Sequence, residues 1–225
     1  LNEAAYASEL VRAGILSVVS AVSLGSAVIA LDRAPIESAS ISGFVEIALG
    51  LVLLGVVAWF ATIRPSHDRP WSPEVAVMPR AEIDGDVMRI SGYRDFEYRS
   101  RDDFTARYEE REVQLSHLTG VDFFISYWKI GPVAHTFVSF IFDNAPPVSI
   151  SIEIRPEVGE SFDLLASLFK QFELIYVVGD ERDIVRVRTN YRDEDVLLYR
   201  IDVAPADARR LFEVYLQRIN QLADQ

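Results

Sequence analysis

Ala134-His135-Thr136-Phe137-Val138-Ser139-Phe140 and Ser149-Ile150-Ser151-Ile152-Glu153-Ile154-Arg155 decide how this chain folds. Both runs are rich in β-branched or aromatic residues, and between them lies Asp143-Asn144-Ala145-Pro146-Pro147, whose residue types favour a turn. The spacing predicts a central β-hairpin with strands over 136–142 and 148–154. Side chains alternate along a strand, so His135, Phe137, Ser139 and Ile141 share one face, and Thr136, Val138, Phe140 and Phe142 the other. In the second strand Val148, Ile150, Ile152 and Ile154 form an apolar face that predicts a core, opposite a polar face of Ser149, Ser151, Glu153 and Arg155. Pairing Phe142 with Val148 places His135 opposite Arg155 and diagonal to Glu153, an arrangement that a register slip would change.

Working outward, Ala81 to Ile90 reads as a second hairpin turned at Asp84-Gly85, and Arg107 to Leu115 and Val121 to Trp128 as further strands. Glu160 to Phe172 carries Phe162, Leu165, Leu168, Phe169 and Phe172 at helical spacing. Strands are expected over Leu174–Val178, Ile184–Arg188 and Val196–Val203, and Pro205 opens a last helix through Leu222. This mixed order predicts an α+β domain over 75–225, with a mostly antiparallel sheet and two main helices.

Residues 1–63 have another character. About 13–31 and 43–63 are apolar, the second interrupted only by Glu46, and each approaches the roughly 20 residues that cross a bilayer. Neither shows the amphipathic stripe of a core helix, so two transmembrane helices are expected to follow one another as an antiparallel hairpin. Gly14, Ser17, Ser20, Ser23, Gly25 and Ser26 give the first a surface that admits close helix packing. Arg12, Arg33 and Arg64 divide the positive charge between the two ends, so charge does not orient the pair. The Pro-rich stretch 64–74 ends the second helix and is expected to lie at the membrane surface through Arg64 and Trp71.

A formal net charge of -12 offers no basic stripe, which excludes nucleic acid as the expected partner. With no cysteine and three histidines, and with no HExxH helix, no metal site is expected. Neither a Gly-rich phosphate loop nor a GxSxG elbow is present, and no cofactor is implied. What remains is His135 with Glu153. A carboxylate beside imidazole can hold its tautomer and raise its basicity, as a nucleophile-activating base requires; the same pair also reads as a half-buried histidine beside a solvated Glu153–Arg155 ion pair. Ser151, Arg155, Arg182, Arg188 and Arg192 are weaker candidates for holding an anionic substrate, against the alternative of an exposed, internally paired charge run.

At these residues the chain resembles the Lnb N-terminal periplasmic domain family. The resemblance runs from Thr62-Ile63-Arg64-Pro65-Ser66 through Tyr93-Arg94-Asp95-Phe96-Glu97-Tyr98-Arg99-Ser100, Ala134-His135-Thr136 and Ser151-Ile152-Glu153-Ile154-Arg155. It continues over Phe172-Glu173-Leu174-Ile175-Tyr176, Asp180-Glu181-Arg182-Asp183 and Arg188-Thr189-Asn190-Tyr191-Arg192. It implies a permuted NlpC-like or papain-like thiol enzyme, in which the histidine strand precedes an Asn-Cys-Thr motif that follows the helix matching Pro205 to Leu222. By that resemblance His135 is the base, Glu153 its support, and the nucleophile lies beyond Gln225, so that this chain is a C-terminally incomplete and inactive fragment. The implied activity is acyl transfer or hydrolysis on lipoproteins or envelope substrates at the bacterial inner membrane, with the soluble domain periplasmic. Two alternatives stand beside it: a peptidoglycan amidase or peptidase, and a non-catalytic envelope protein that binds a lipid headgroup, lipoprotein or peptidoglycan fragment.

Overall fold

The computed structural model describes residues 36–128, 134–161 and 172–225. It divides into two compact units, Leu1–Arg64 and Pro65–Gln225. In the first, helix α1 spans Ile36–Thr62. It starts seven residues ahead of the expected 43, and Ile36 to Ser42 contains no helix breaker. Gly43–Thr62 is long and apolar enough to cross a membrane, and its large side chains, Phe44, Leu51 and Leu54 among them, are exposed. The expected first span, 13–31, lies outside the described residues, so one such helix is present among them rather than two.

The second unit is α+β with a mostly antiparallel sheet. Its strands are β1 (Arg80–Asp84), β2 (Val87–Arg94), β3 (Glu97–Tyr98), β4 (Phe104–Thr105), β5 (Tyr108–Gln114), β6 (Leu118–Tyr127), β7 (Ala134–Phe142), β8 (Val148–Arg155), β9 (Glu173–Asp180) and β10 (Asp195–Ile201). Eight of them form one sheet in the order β1-β2-β9-β8-β7-β6-β10, with β5 also on β2, while β3 and β4 pair by themselves. Gly85, at φ +61, closes the β1–β2 turn as the Asp84-Gly85 signal predicts. Among the described residues, the one parallel contact joins Arg94 of β2 to Gly179 of β9. A Cβ on Gly179 would collide with the Arg94 carbonyl, so this crossing requires glycine.

Two helices follow: α2 (Glu181–Arg186), continued by a π-helical turn over Val187–Tyr191, and α3 (Pro205–Ala223). The expected strand over Ile184–Arg188 is therefore helical. Asp180 caps α2 by accepting from the Arg182 N–H at 2.8 Å, and Glu181 and Asp183 place acidic groups in the first turn. A short run of apolar residues has no period of its own, and the cap decides it. The expected helix over 160–172 falls largely outside the described residues.

Helix α3 buries Ala208, Phe212, Leu216, Ile219 and Ala223, a stripe at three- and four-residue spacing, against Phe140, Phe142 and Ile150 of the sheet. Phe212 lies with ring centres 4.4 Å from Phe140 and 5.8 Å from Phe142. The Asn220 amide accepts from Ala81 N–H at 2.9 Å and donates to Ala81 C=O at 2.7 Å, satisfying part of the edge of β1. On the opposite face Ile184 of α2 packs with Phe124, Phe137, Ile175 and Val177.

The sheet is thus covered on both faces at the hairpin centre. The polar row Ser139, Ser149 and Ser151 is buried, whereas Ile152 on the expected core face is 44% exposed. Register differs too: Phe140, not Phe142, pairs with Val148, and Phe137 pairs with Ser151. Continued two residues, that register sets His135 directly opposite Glu153 instead of Arg155. The two-residue slip preserves the face because the side-chain period is two.

The Pro-rich stretch belongs to this unit from Pro65 onward. Trp71 is buried, bridges to Glu157 on the backbone, and carries the Arg155 guanidinium 4.3 Å from its ring centre.

Candidate functional site

The site is built on the ends of β7 and β8 and closed by the π-turn. His135 Nε2 lies 2.7 Å from Ser151 Oγ and 3.3 Å from Glu153 Oε1. Ser151 Oγ donates its proton to Glu153 Oε1 at 2.6 Å. A hydroxyl has one proton, so Ser151 Oγ receives from His135 rather than giving to it, and this order assigns the neutral imidazole as the Nε2–H tautomer. The lone pair is then on Nδ1, the nitrogen that can accept a proton from another group.

Glu153 Oε1 also accepts from Nη2 of Arg188, whose side chain is only 3% exposed. Burial opposes ionisation of Glu153, but the Arg188 guanidinium, with the hydrogen bonds from His135 and Ser151, outweighs it and holds the carboxyl far below the usual carboxylate range. Burial lowers the Arg188 pKa in turn, with Glu153 opposing, and an arginine so shifted still stays protonated. Other contacts also fix Arg188: Nη1 donates to Ile184 C=O at 2.6 Å, the guanidinium lies 4.7 Å from the Phe137 ring centre, and Nε is 4.0 Å from Glu194 Oε2. Glu194 accepts from Ser126 Oγ, and Ser126 is the cross-strand partner of His135. His135, Ser151, Glu153, Arg188, Glu194 and Ser126 therefore form a run of polar groups that ends on the strand neighbour of the histidine.

Of the residues named from sequence, the structure brings together His135, Ser151, Glu153 and Arg188. It places Arg155 elsewhere, with Nε donating to Val75 C=O at 2.9 Å and Nη2 to Ala76 C=O at 3.0 Å. Arg182 pairs with Asp180 at 3.2 Å on the outside of α2, and Arg192 is exposed after the π-turn. Ser126 and Glu194 had no sequence signal, since both reach the site only through pairing of β6 with β7 and β10. His67 and His117 contact Ala223 C=O and Asp143 respectively, and among the described residues no group of three or more His, Cys, Asp or Glu is placed to hold a metal.

The histidine hairpin, its carboxylate and the closing helix all fall within residues 104–225, which match the family described as Lnb N-terminal periplasmic domain. The chain belongs to that family. No curated protein and no solved structure matches it. Membership and the apolar helix α1 are consistent with a membrane protein carrying a periplasmic domain.

Proposed function

We propose that this domain supplies the base half of a thiol-dependent acyltransferase or hydrolase acting on lipoproteins or other envelope substrates beside the bacterial inner membrane. The observation that carries the reading is the chain from His135 Nε2 through Ser151 Oγ to Glu153, because it leaves Nδ1 as the accepting nitrogen. His135 is the base, with Ser151 and Glu153 as its orienting groups. The nucleophile is a cysteine outside these 225 residues, which contain none. Its thiol proton passes to Nδ1, and the thiolate adds to the acyl carbonyl of an ester. Collapse of the tetrahedral adduct breaks the ester C–O bond, and the departing alkoxide takes the proton back from the imidazolium. The thioester then gives its acyl group to an amine or to water.

Arg188 is given no role in holding substrate in this reading, since its buried guanidinium is directed at Glu153 and Ile184 C=O. The test is mass analysis of lipoprotein N-termini in cells carrying the whole gene with His135→Ala. The proposal expects the acylated product to disappear while the protein stays folded and in the membrane. Unchanged acylation contradicts it and favours a binding role.

A further inference from the structure

The π-turn over Val187–Tyr191 is closed by Arg192 N–H donating to Val187 C=O at 2.9 Å, a five-residue span of a kind frequent at functional sites. Arg188 leaves it toward Glu153. Tyr191 leaves it toward the β3–β4 hairpin, where its hydroxyl donates to Tyr98 C=O at 2.6 Å. There the structure holds a cleft of about 320 Å³, at the lower end of the range for small-molecule pockets.

Phe96, Tyr98 and Tyr191 give the cleft an aromatic wall. Three arginines line it, of which Arg107 is matched by Asp95 and Arg182 by Asp180. Arg186 is exposed and has no carboxylate partner among the described residues; its guanidinium lies 6.0 Å from the Tyr191 ring centre. Glu97 lines the same cleft, is exposed, and likewise has no ion-pair partner among the described residues. Tyr98 Oη is buried without a hydrogen-bond partner among them, a state that proteins avoid unless another group satisfies it.

An arginine and a glutamate that have no ion-pair partner among the described residues, beside an aromatic wall in one cleft, are complementary to a ligand carrying both charges. We infer that this cleft binds a small zwitterion, a primary ammonium a few atoms from a singly charged anion. The ammonium is taken by Glu97, with the tyrosine rings of the wall beside it, since the Phe96 ring already carries Arg94 and Phe104. The anion is taken by Arg186, whose planar fork suits a carboxylate or a phosphodiester. Two sources share this chemistry: a phosphoethanolamine headgroup and a free amino acid.

Calorimetric titration of the full chain in neutral detergent, with glycerophosphoethanolamine, alanine, glycerol phosphate and ethanolamine as separate probes, tests the assignment. At least one zwitterion is expected to bind, with glycerol phosphate and ethanolamine each about tenfold weaker or more. The tighter of the two zwitterions identifies the source. Arg186→Gln and Glu97→Gln should each weaken that zwitterion by about tenfold or more, with unchanged thermal unfolding because both side chains are exposed and unpaired. Absence of zwitterion binding at millimolar concentration, equal binding of the single-charge probes, or indifference to both substitutions would overturn it. Binding is read without turnover, so its failure leaves the acyl-transfer reading intact, and the reverse also holds.

Discussion

Glu153 is where the electrostatics of the site concentrate. Its carboxyl is held far below its ordinary range by Arg188 and two hydrogen bonds, despite burial. A depressed folded-state pKa means a stabilisation fully present above the unfolded value, about 4.3, and lost as pH falls toward the folded value. The wild-type chain should therefore lose more stability between about pH 5 and pH 2 than Glu153→Gln does. The difference between the two curves isolates Glu153, since Asp86 and Asp103 are held low in both chains. Parallel curves would contradict the pairing. Arg188→Met should cost about 3–5 kcal/mol at neutral pH, because it strands a carboxylate in a half-buried site. The double variant with Glu153→Gln should recover part of that loss, measured by denaturant unfolding; strict additivity would show that the two do not interact.

That His135 and Glu153 share a face was legible from alternation, since any even register slip keeps both on it; that they stand directly opposite was not, because the expected register set Arg155 there. Assigning Arg188 to them was not. Ile184, Val185 and Val187 read as a strand, and only the cap at Asp180 turns the segment into the helix and π-turn that aim Arg188 inward.

Elements carry the next set of consequences. Asp180 is the hinge between β9 and α2: it caps the helix and also meets Arg182 at 3.2 Å and Arg111 at 3.9 Å. Asp180→Ala should lose the cap, about 1 kcal/mol, with little added through the arginines, since Arg111 keeps Glu109 at 2.9 Å and Arg182 is exposed. Hydrogen exchange should show α2 and the π-turn opening before the sheet does. If exchange in α2 stays at the wild-type rate, the cap is not what holds the segment. Just before it, Gly179→Ala forces β9 away from the Arg94 carbonyl. Arg94 makes a buried bidentate pair with Asp183 in the first turn of α2, at 2.8 and 2.7 Å, so displacing β9 disturbs the same end of that helix.

The Asp84-Gly85 turn and the hairpin β7–β8 were readable because turn chemistry and alternation agreed. Burial of the serine row was not. Alternation tells which residues share a face, and cover on that face comes from α2, whose existence depends on the cap.

For the whole molecule, the sheet is held between α3 on one face and α2 with its π-turn on the other. Phe212 is wholly buried against Phe140 and Phe142, and Phe212→Ala should cost about 3–5 kcal/mol in denaturant unfolding. A loss under about 1 kcal/mol would mean that α3 is not part of the cooperative core. The α+β class followed from the order of hairpins and helices, and α3 from Pro205 at its start; the pairing of β2 with β9 had no local signal, since it joins strands far apart in sequence. The chemistry proposed for this fold depends on one nitrogen. Nitrogen-15 NMR of the imidazole, in protein labelled at histidine and assigned with His135→Ala, reads its tautomer directly at a pH where it is neutral. The arrangement predicts a protonated Nε2 and an unprotonated Nδ1, with that preference weakened in Glu153→Gln. A protonated Nδ1 in the wild-type chain would contradict His135 as the base.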